Sequence, residues 1–170
     1  MQIKNKKSGY TLVEMVIYVA VMSIVFLLIV NTVLSFTKSY KGIYVLRIVD
    51  GSAVDAMERM TREIRGATSV DTVNSTFGSN PGVLTLVSVS SSNSTTTKFY
   101  LDNGVLKVDI NGVYSGPLSG VGVSVDSLIF TKLDSGISTA IKIDMIVRGT
   151  AGQTTRTKNY HTTILLKIFN

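Results

Sequence analysis

From Met15 to Val30 the chain carries no charged residue, and the only polar positions are Tyr18 and Ser23. The neutral run continues through Asn31, Thr32, Ser35 and Thr37 to Lys38. A helix from Tyr10 to about Phe36 would be ~40 Å long at ~1.5 Å per residue, enough to cross a bilayer core of ~30 Å. One acid interrupts it, Glu14, four residues after Tyr10, and Lys4, Lys6 and Lys7 lie upstream. Beyond Lys38 the pattern becomes periodic. Apolar residues recur at Ile43, Leu46, Ala53, Val54, Met57, Met60 and Ile64, close to the helical period. Asp55 with Arg59 and Glu58 with Arg62 place an acid four residues before a base, which supports an exposed helix face. Gly66 is the expected C-cap. Gly42 and Gly51 each weaken the helix by ~1 kcal/mol relative to Ala and mark candidate bends. No Pro interrupts residues 10–66. The pattern therefore predicts one helix of ~80 Å, half in lipid and half amphipathic.

After the helix the period shortens to two. Val83 to Val87, Lys98 to Leu101 and Val105 to Ile110 read as strands, the last two joined by Asp102-Asn103-Gly104. Asn-Gly tolerates positive φ and is a strong hairpin signal. Ser127 to Leu133, Ala140 to Val147 and Tyr160 to Phe169 are further strands. Ile141, Ile143 and Met145 alternate with Lys142 and Asp144, so one face is buried and the other wet. Ser88 to Thr97, Asn111 to Gly122 and Arg148 to Asn159 read as loops from their Ser, Thr, Asn and Gly content. The expected fold class is α+β: a long N-terminal helix whose apolar stripe packs on a C-terminal antiparallel sheet. There is no internal repeat and no second globular domain.

Composition adds three constraints. About 130 of the 170 residues lie beyond the apolar run, enough for one modest domain. Mean hydropathy is +0.33, high for a soluble chain, and the N-terminal run explains much of it. The absence of Cys excludes disulfides, thiolate metal sites and a Cys nucleophile. The formal charge of +6 falls to +3 once residues 1–9 are set aside, because they hold three lysines and no acid. Lysines on one flank set orientation, leader inside and C-terminal domain outside, which explains the basic excess without nucleic acid.

The leader is not arranged as a secretory signal, whose small-residue cleavage site follows the apolar core. Here Ser8-Gly9 precedes the core, so a cut after Gly9 removes the lysines and keeps the helix. The run Gly9, Tyr10, Thr11, Leu12, Val13, Glu14 and the apolar stretch behind it resemble the type IV prepilin family. Tyr10 stands where that family usually has Phe, and Val13 where it often has Ile. The resemblance implies cleavage between Gly9 and Tyr10 by prepilin peptidase and N-methylation of Tyr10. It implies that Glu14 pairs with the terminal amine of a neighbouring subunit. It divides the chain into a cleaved leader (1–9), a transmembrane assembly helix (10–37) and a globular domain (38–170). The implied partners are the peptidase, other pilin or pseudopilin subunits, the inner-membrane assembly platform and the bilayer. The implied location is a single-pass inner-membrane protein, extracellular or periplasmic once in a filament. Met60-Thr61-Arg62-Glu63-Ile64-Arg65, Leu101-Asp102-Asn103-Gly104-Val105-Leu106, Leu128-Ile129-Phe130 and Thr162-Thr163-Ile164-Leu165 further resemble the J-type or W-type minor pilins and pseudopilins.

Other candidate chemistry is weaker. An ionised carboxylate costs ~2.5 kcal/mol or more in a lipid core, so Glu14 needs a partner, or else lies among the headgroups with water. His161, the only histidine, reads as a surface strand residue with no acid beside it in sequence. The segment with Gly116, Gly120 and Gly122 lacks a phosphate-loop Lys. Asp102-Asn103 lacks the rest of a calcium loop. Asn74-Ser75-Thr76 and Asn93-Ser94-Thr95 match the N-glycosylation pattern. No metal, cofactor or catalytic residue is expected. Two other classes compete with a filament subunit. A DNA-uptake minor pilin would use Arg59, Arg62 and Arg65. A membrane-anchored enzyme would need a deep polar pocket.

Overall fold

A computed structural model describes residues 9–90, 93–136 and 138–166. The chain forms two compact units that meet between Tyr40 and Lys41. Helix α1 spans Leu12–Gly66, and the unit boundary falls within it.

In the first unit, α1 is long and apolar enough to cross a membrane, and its apolar stretch has no buried residue. Four of its aliphatic hydroxyls are satisfied inside the helix. Ser23, Thr32, Ser35 and Thr37 donate to the carbonyls of Val19, Leu28, Asn31 and Val33 at 2.8, 2.7, 2.9 and 3.0 Å. Internal satisfaction of this kind lets polar side chains sit in an apolar medium.

In the second unit the strands form two antiparallel meanders. The first joins β1 (Ser69–Val70), β2 (Leu84–Ser90), β3 (Asn93–Asp102), β4 (Val105–Ile110) and β5 (Val113–Pro117) in that order. The second joins β6 (Val123–Asp134), β7 (Thr139–Ala151) and β8 (Thr154–Leu165). The α+β class expected from the sequence holds, with strands in two sheets where the pattern suggested one. β6 stitches the sheets together. Its Val125 N–H donates to Gly104 O at 2.8 Å, and its Leu128 and Phe130 carbonyls accept from Gly82 and Gly78 at 2.7 and 2.9 Å.

The predicted Asn103-Gly104 hairpin is present, with φ of 50° and 76°. Asn111-Gly112 makes a second one, with φ of 52° and 77°, and joins β4 to β5 inside a segment expected to be loop. The two other expected loops are also largely strand. Of Ser88 to Thr97, the described residues are the end of β2 (88–90) and the start of β3 (93–97), and Arg148 to Asn159 is the β7–β8 hairpin. The reason is the same in each. Thr is β-branched and favours strands, and ladder hydrogen bonds need no apolar side chain where both faces are wet. The last predicted strand is β8, shifted toward the N-terminus; its expected end at residues 167–169 lies outside the described residues.

Residues 41–66 of α1 pack on both sheets through Gly42, Val45, Val49, Ala53, Ala56, Met60 and Ile64, spaced three or four apart. The stripe differs from the expected one. Ala53, Met60 and Ile64 are buried, but Ile43, Leu46 and Val54 are exposed. The stripe uses smaller residues where the sheet backbone comes close. At Gly149 on β7 an added Cβ would lie 2.5 Å from Val49 Cγ2 and 3.2 Å from Val45 Cγ1. Facing this stripe are Leu84, Leu86, Phe99, Leu106, Leu128, Phe130, Ile141, Ile143 and Met145, all essentially fully buried. On β7 the predicted alternation is observed, with Lys142 and Asp144 paired at 2.8 Å on the wet face. Of the two expected helix ion pairs, Glu58–Arg62 forms at 2.9 Å. Arg59 instead pairs with Glu63, at 2.9 Å; glutamate carries one more methylene than Asp55 and reaches further. Gly66 is the last helical residue and lacks the left-handed φ of a C-cap glycine.

A polar contact also ties the helix to β8. Asp50 Oδ1 accepts from Lys158 Nζ at 2.7 Å and from the Tyr160 hydroxyl. The Lys158 hydrogen bond, then that of Tyr160, hold the Asp50 carboxyl below the usual carboxylate range. Burial, then Asp50 itself, pushes the Tyr160 phenol up.

Gly149→Ala should destabilise the full-length protein by ~1–3 kcal/mol through overpacking, measured by denaturant unfolding in micelles. Gly51→Ala, where an added Cβ meets nothing within 4 Å, should stabilise it by up to ~1 kcal/mol. Because the folded Asp50 carboxyl is the stronger acid, its contribution is present above the unfolded value near 3.8 and lost as pH falls through the lower folded one. Asp50→Asn should therefore lower the unfolding midpoint at pH 7, with the gap to wild type narrowing below about pH 4.

Candidate functional site

The start of α1 is built by Tyr10, Thr11, Glu14 and Tyr18. Gly9, Tyr10 and Thr11 precede the helix, which begins at Leu12. Thr11 is its N-cap. Thr11 Oγ1 accepts the Glu14 N–H at 3.3 Å, and Thr11 O accepts the Met15 N–H at 3.2 Å. Thr11-x-x-Glu14 has the spacing of a capping box, in which the glutamate side chain turns back to the cap N–H. Here it goes the other way. Glu14 Oε1 accepts the hydroxyl of Tyr18 at 2.9 Å, one turn further along the helix. The Tyr18 ring in turn meets the Tyr10 ring edge-on, centroids 6.2 Å apart and planes at 78°. Tyr10, Glu14 and Tyr18 thus form one stripe at four-residue spacing. Glu14 is half-buried under this stripe, whereas every other described residue from Gly9 to Lys41 is exposed. Its place in the first turn also sets the acid against the positive end of the helix dipole.

The peptide bond between Gly9 and Tyr10 lies outside the helical ladder, between two exposed residues. A side chain at Gly9 would meet nothing within 4 Å, so the packing of this chain does not itself demand glycine there. Tyr10 presents its ring to Tyr18 and stays largely exposed. The structure thus brings three of these residues into contact and leaves Gly9 free at their edge. Tyr18 is the member that sequence reasoning missed. Its signal was present as an aromatic hydroxyl four residues after the only acid in the apolar run.

The weaker candidates do not gather into a second site. His161 is exposed on edge strand β8, as expected, and its cross-strand neighbour is Asp144, which Lys142 already holds. Asp102 accepts from Asn103 Nδ2 at 3.0 Å and from Lys107 Nζ at 2.6 Å. Gly116 lies in β5 and Gly120 donates to Ser52 Oγ at 2.8 Å, tying that segment to α1. Asp71 caps the turn that holds Asn74, accepting the Val73 and Asn74 N–H groups at 3.0 and 3.1 Å and the Asn74 side chain at 2.7 Å.

Residues 4–30 match the family described as the prokaryotic N-terminal methylation motif. This is the type IV prepilin signature. It covers Gly9, Tyr10, Glu14 and Tyr18 together with much of the exposed apolar part of α1. No curated protein and no solved structure matches the chain. The prepilin signature is a mark of peptidase processing and of assembly with other pilins, and it joins here a helix able to anchor the chain in a membrane.

Proposed function

We propose that this protein is a structural subunit of a type IV pilus or of a type II secretion pseudopilus, a minor subunit and not an enzyme. The observation that carries the reading is the prepilin signature lying over a half-buried acid at the start of an otherwise exposed apolar stretch of α1. An apolar helix with no covered face needs lipid or other helices around it. An acid within it needs a counter-charge.

The leader stays in the cytoplasm, held by Lys4, Lys6 and Lys7. Prepilin peptidase hydrolyses the Gly9–Tyr10 bond and methylates the new amine of Tyr10. The exposed, non-helical bond and the unhindered glycine suit the approach of a membrane peptidase. Residues 10–37 then pack among the helices of other subunits, and residues 38–170 form the domain outside the membrane. Glu14 of one copy pairs with the terminal ammonium of a neighbour, which sets axial register. The likeness of the helix end and strand segments to J-type and W-type proteins supports a tip or priming position. For DNA uptake no observation speaks: Arg59 and Arg62 are already paired with Glu63 and Glu58.

Mass spectrometry of the mature protein from cells with an active peptidase should find it beginning at methylated Tyr10. An intact Met1 terminus would refute processing. Glu14→Ala should insert normally yet enter filaments at least about tenfold less than wild type, the scale expected for losing a charge-assisted pair. Incorporation at the wild-type level would remove Glu14 from the mechanism.

A further inference from the structure

We propose that Tyr18 is a positioning residue for assembly: its hydroxyl holds the Glu14 carboxylate turned away from its own chain's terminus and presents it to a neighbour's ammonium. The inference rests on the filament-subunit reading above and deepens it. Cleavage after Gly9 leaves Glu14 only four residues from an ammonium on its own Tyr10. A flexible glutamate could satisfy itself there, and a self-paired subunit would have neither charge to offer. In the structure the carboxylate does not turn back toward the cap. Its Oε1 takes the Tyr18 hydroxyl at 2.9 Å, toward the second turn.

Three further features make this a built arrangement. The Tyr18 ring is itself held edge-on by the Tyr10 ring. Thr11 supplies the cap with its own hydroxyl, so Glu14 is released from that task. Among the described residues Tyr18 is the only hydrogen-bond partner of the carboxylate, and a carboxylate can accept from several directions. One oxygen is thereby engaged by a neutral donor and the other remains for a cation. A neutral donor also keeps the acid hydrogen-bonded in lipid before any neighbour arrives, without cancelling the charge that the neighbour needs. Fixing one rotamer in advance lowers the ordering cost of the intermolecular pair.

The test uses the full-length, processed protein and compares wild type with Tyr18→Phe, Glu14→Ala and the double variant. Tyr18→Phe keeps the ring that packs on Tyr10 and removes only the donor. In cells, filament incorporation is counted per processed subunit in the membrane, so a lower subunit level does not imitate a defect. The expected result is normal processing with incorporation reduced by about tenfold or more in Tyr18→Phe, the lower end for one hydrogen bond to a charged group. In reconstituted bilayers, the tyrosine ring-mode Raman doublet gives a readout that packing alone would not move. Wild type minus Tyr18→Phe should show a strongly donating tyrosine, and Glu14→Ala minus the double variant should not. The same difference spectrum in both backgrounds would overturn the proposal. So would wild-type incorporation of Tyr18→Phe beside a defective Glu14→Ala, which leaves the filament reading intact. Wild-type incorporation of Glu14→Ala would overturn both.

Discussion

A single carboxylate at the head of an apolar helix is the constraint around which this protein is arranged. Lipid and packed helices satisfy Leu, Val and Ile without further help, but they leave an acid in need of hydrogen bonds and a counter-charge. The first turn meets the need for hydrogen bonds locally. Thr11 caps the backbone, and Tyr18, braced by Tyr10, donates to Glu14. Within the chain the charge itself remains uncompensated among the described residues.

The same helix solves a different problem in the second unit. There it is one wall of a core, and its buried stripe is Gly42, Val45, Val49, Ala53, Ala56, Met60 and Ile64. Small residues at the closest approach let the helix lie near the backbone of β7, where Gly149 leaves room for Val45 and Val49. Larger residues gather toward the other end, where Met60 and Ile64 join a core that includes Phe99 and Phe130. Polar ties at Asp50–Lys158–Tyr160 and Ser52–Gly120 then fix the register of helix against strands. Apolar burial supplies the attraction, and the hydrogen bonds select one arrangement from several similar ones.

Much of this was legible in the order of residues. The apolar run, the lysine leader, the Gly9–Glu14 motif and the Asn103-Gly104 turn each act through neighbours close in sequence. The β7 alternation of Ile141, Ile143 and Met145 with Lys142 and Asp144 did so as well. Less legible were segments whose composition pointed one way and whose partners pointed the other. Ser88 to Thr97 looks like a loop until two such stretches pair and their backbones satisfy each other. Asn111-Gly112 carried the same turn signal as Asn103-Gly104, and the glycine-rich context hid it.

What the chain determines alone is therefore whatever a short window can decide: where a helix starts, how long its apolar stretch runs, where a hairpin turns, and that an acid sits where acids are expensive. Tertiary structure decided the rest. It turned Val45 and Val49 inward in place of Ile43 and Val54, and it divided the strands between two sheets. The reason is that transfer from water rewards any adjacent apolar stripe about equally. The close fit of one backbone against another rewards only one of them.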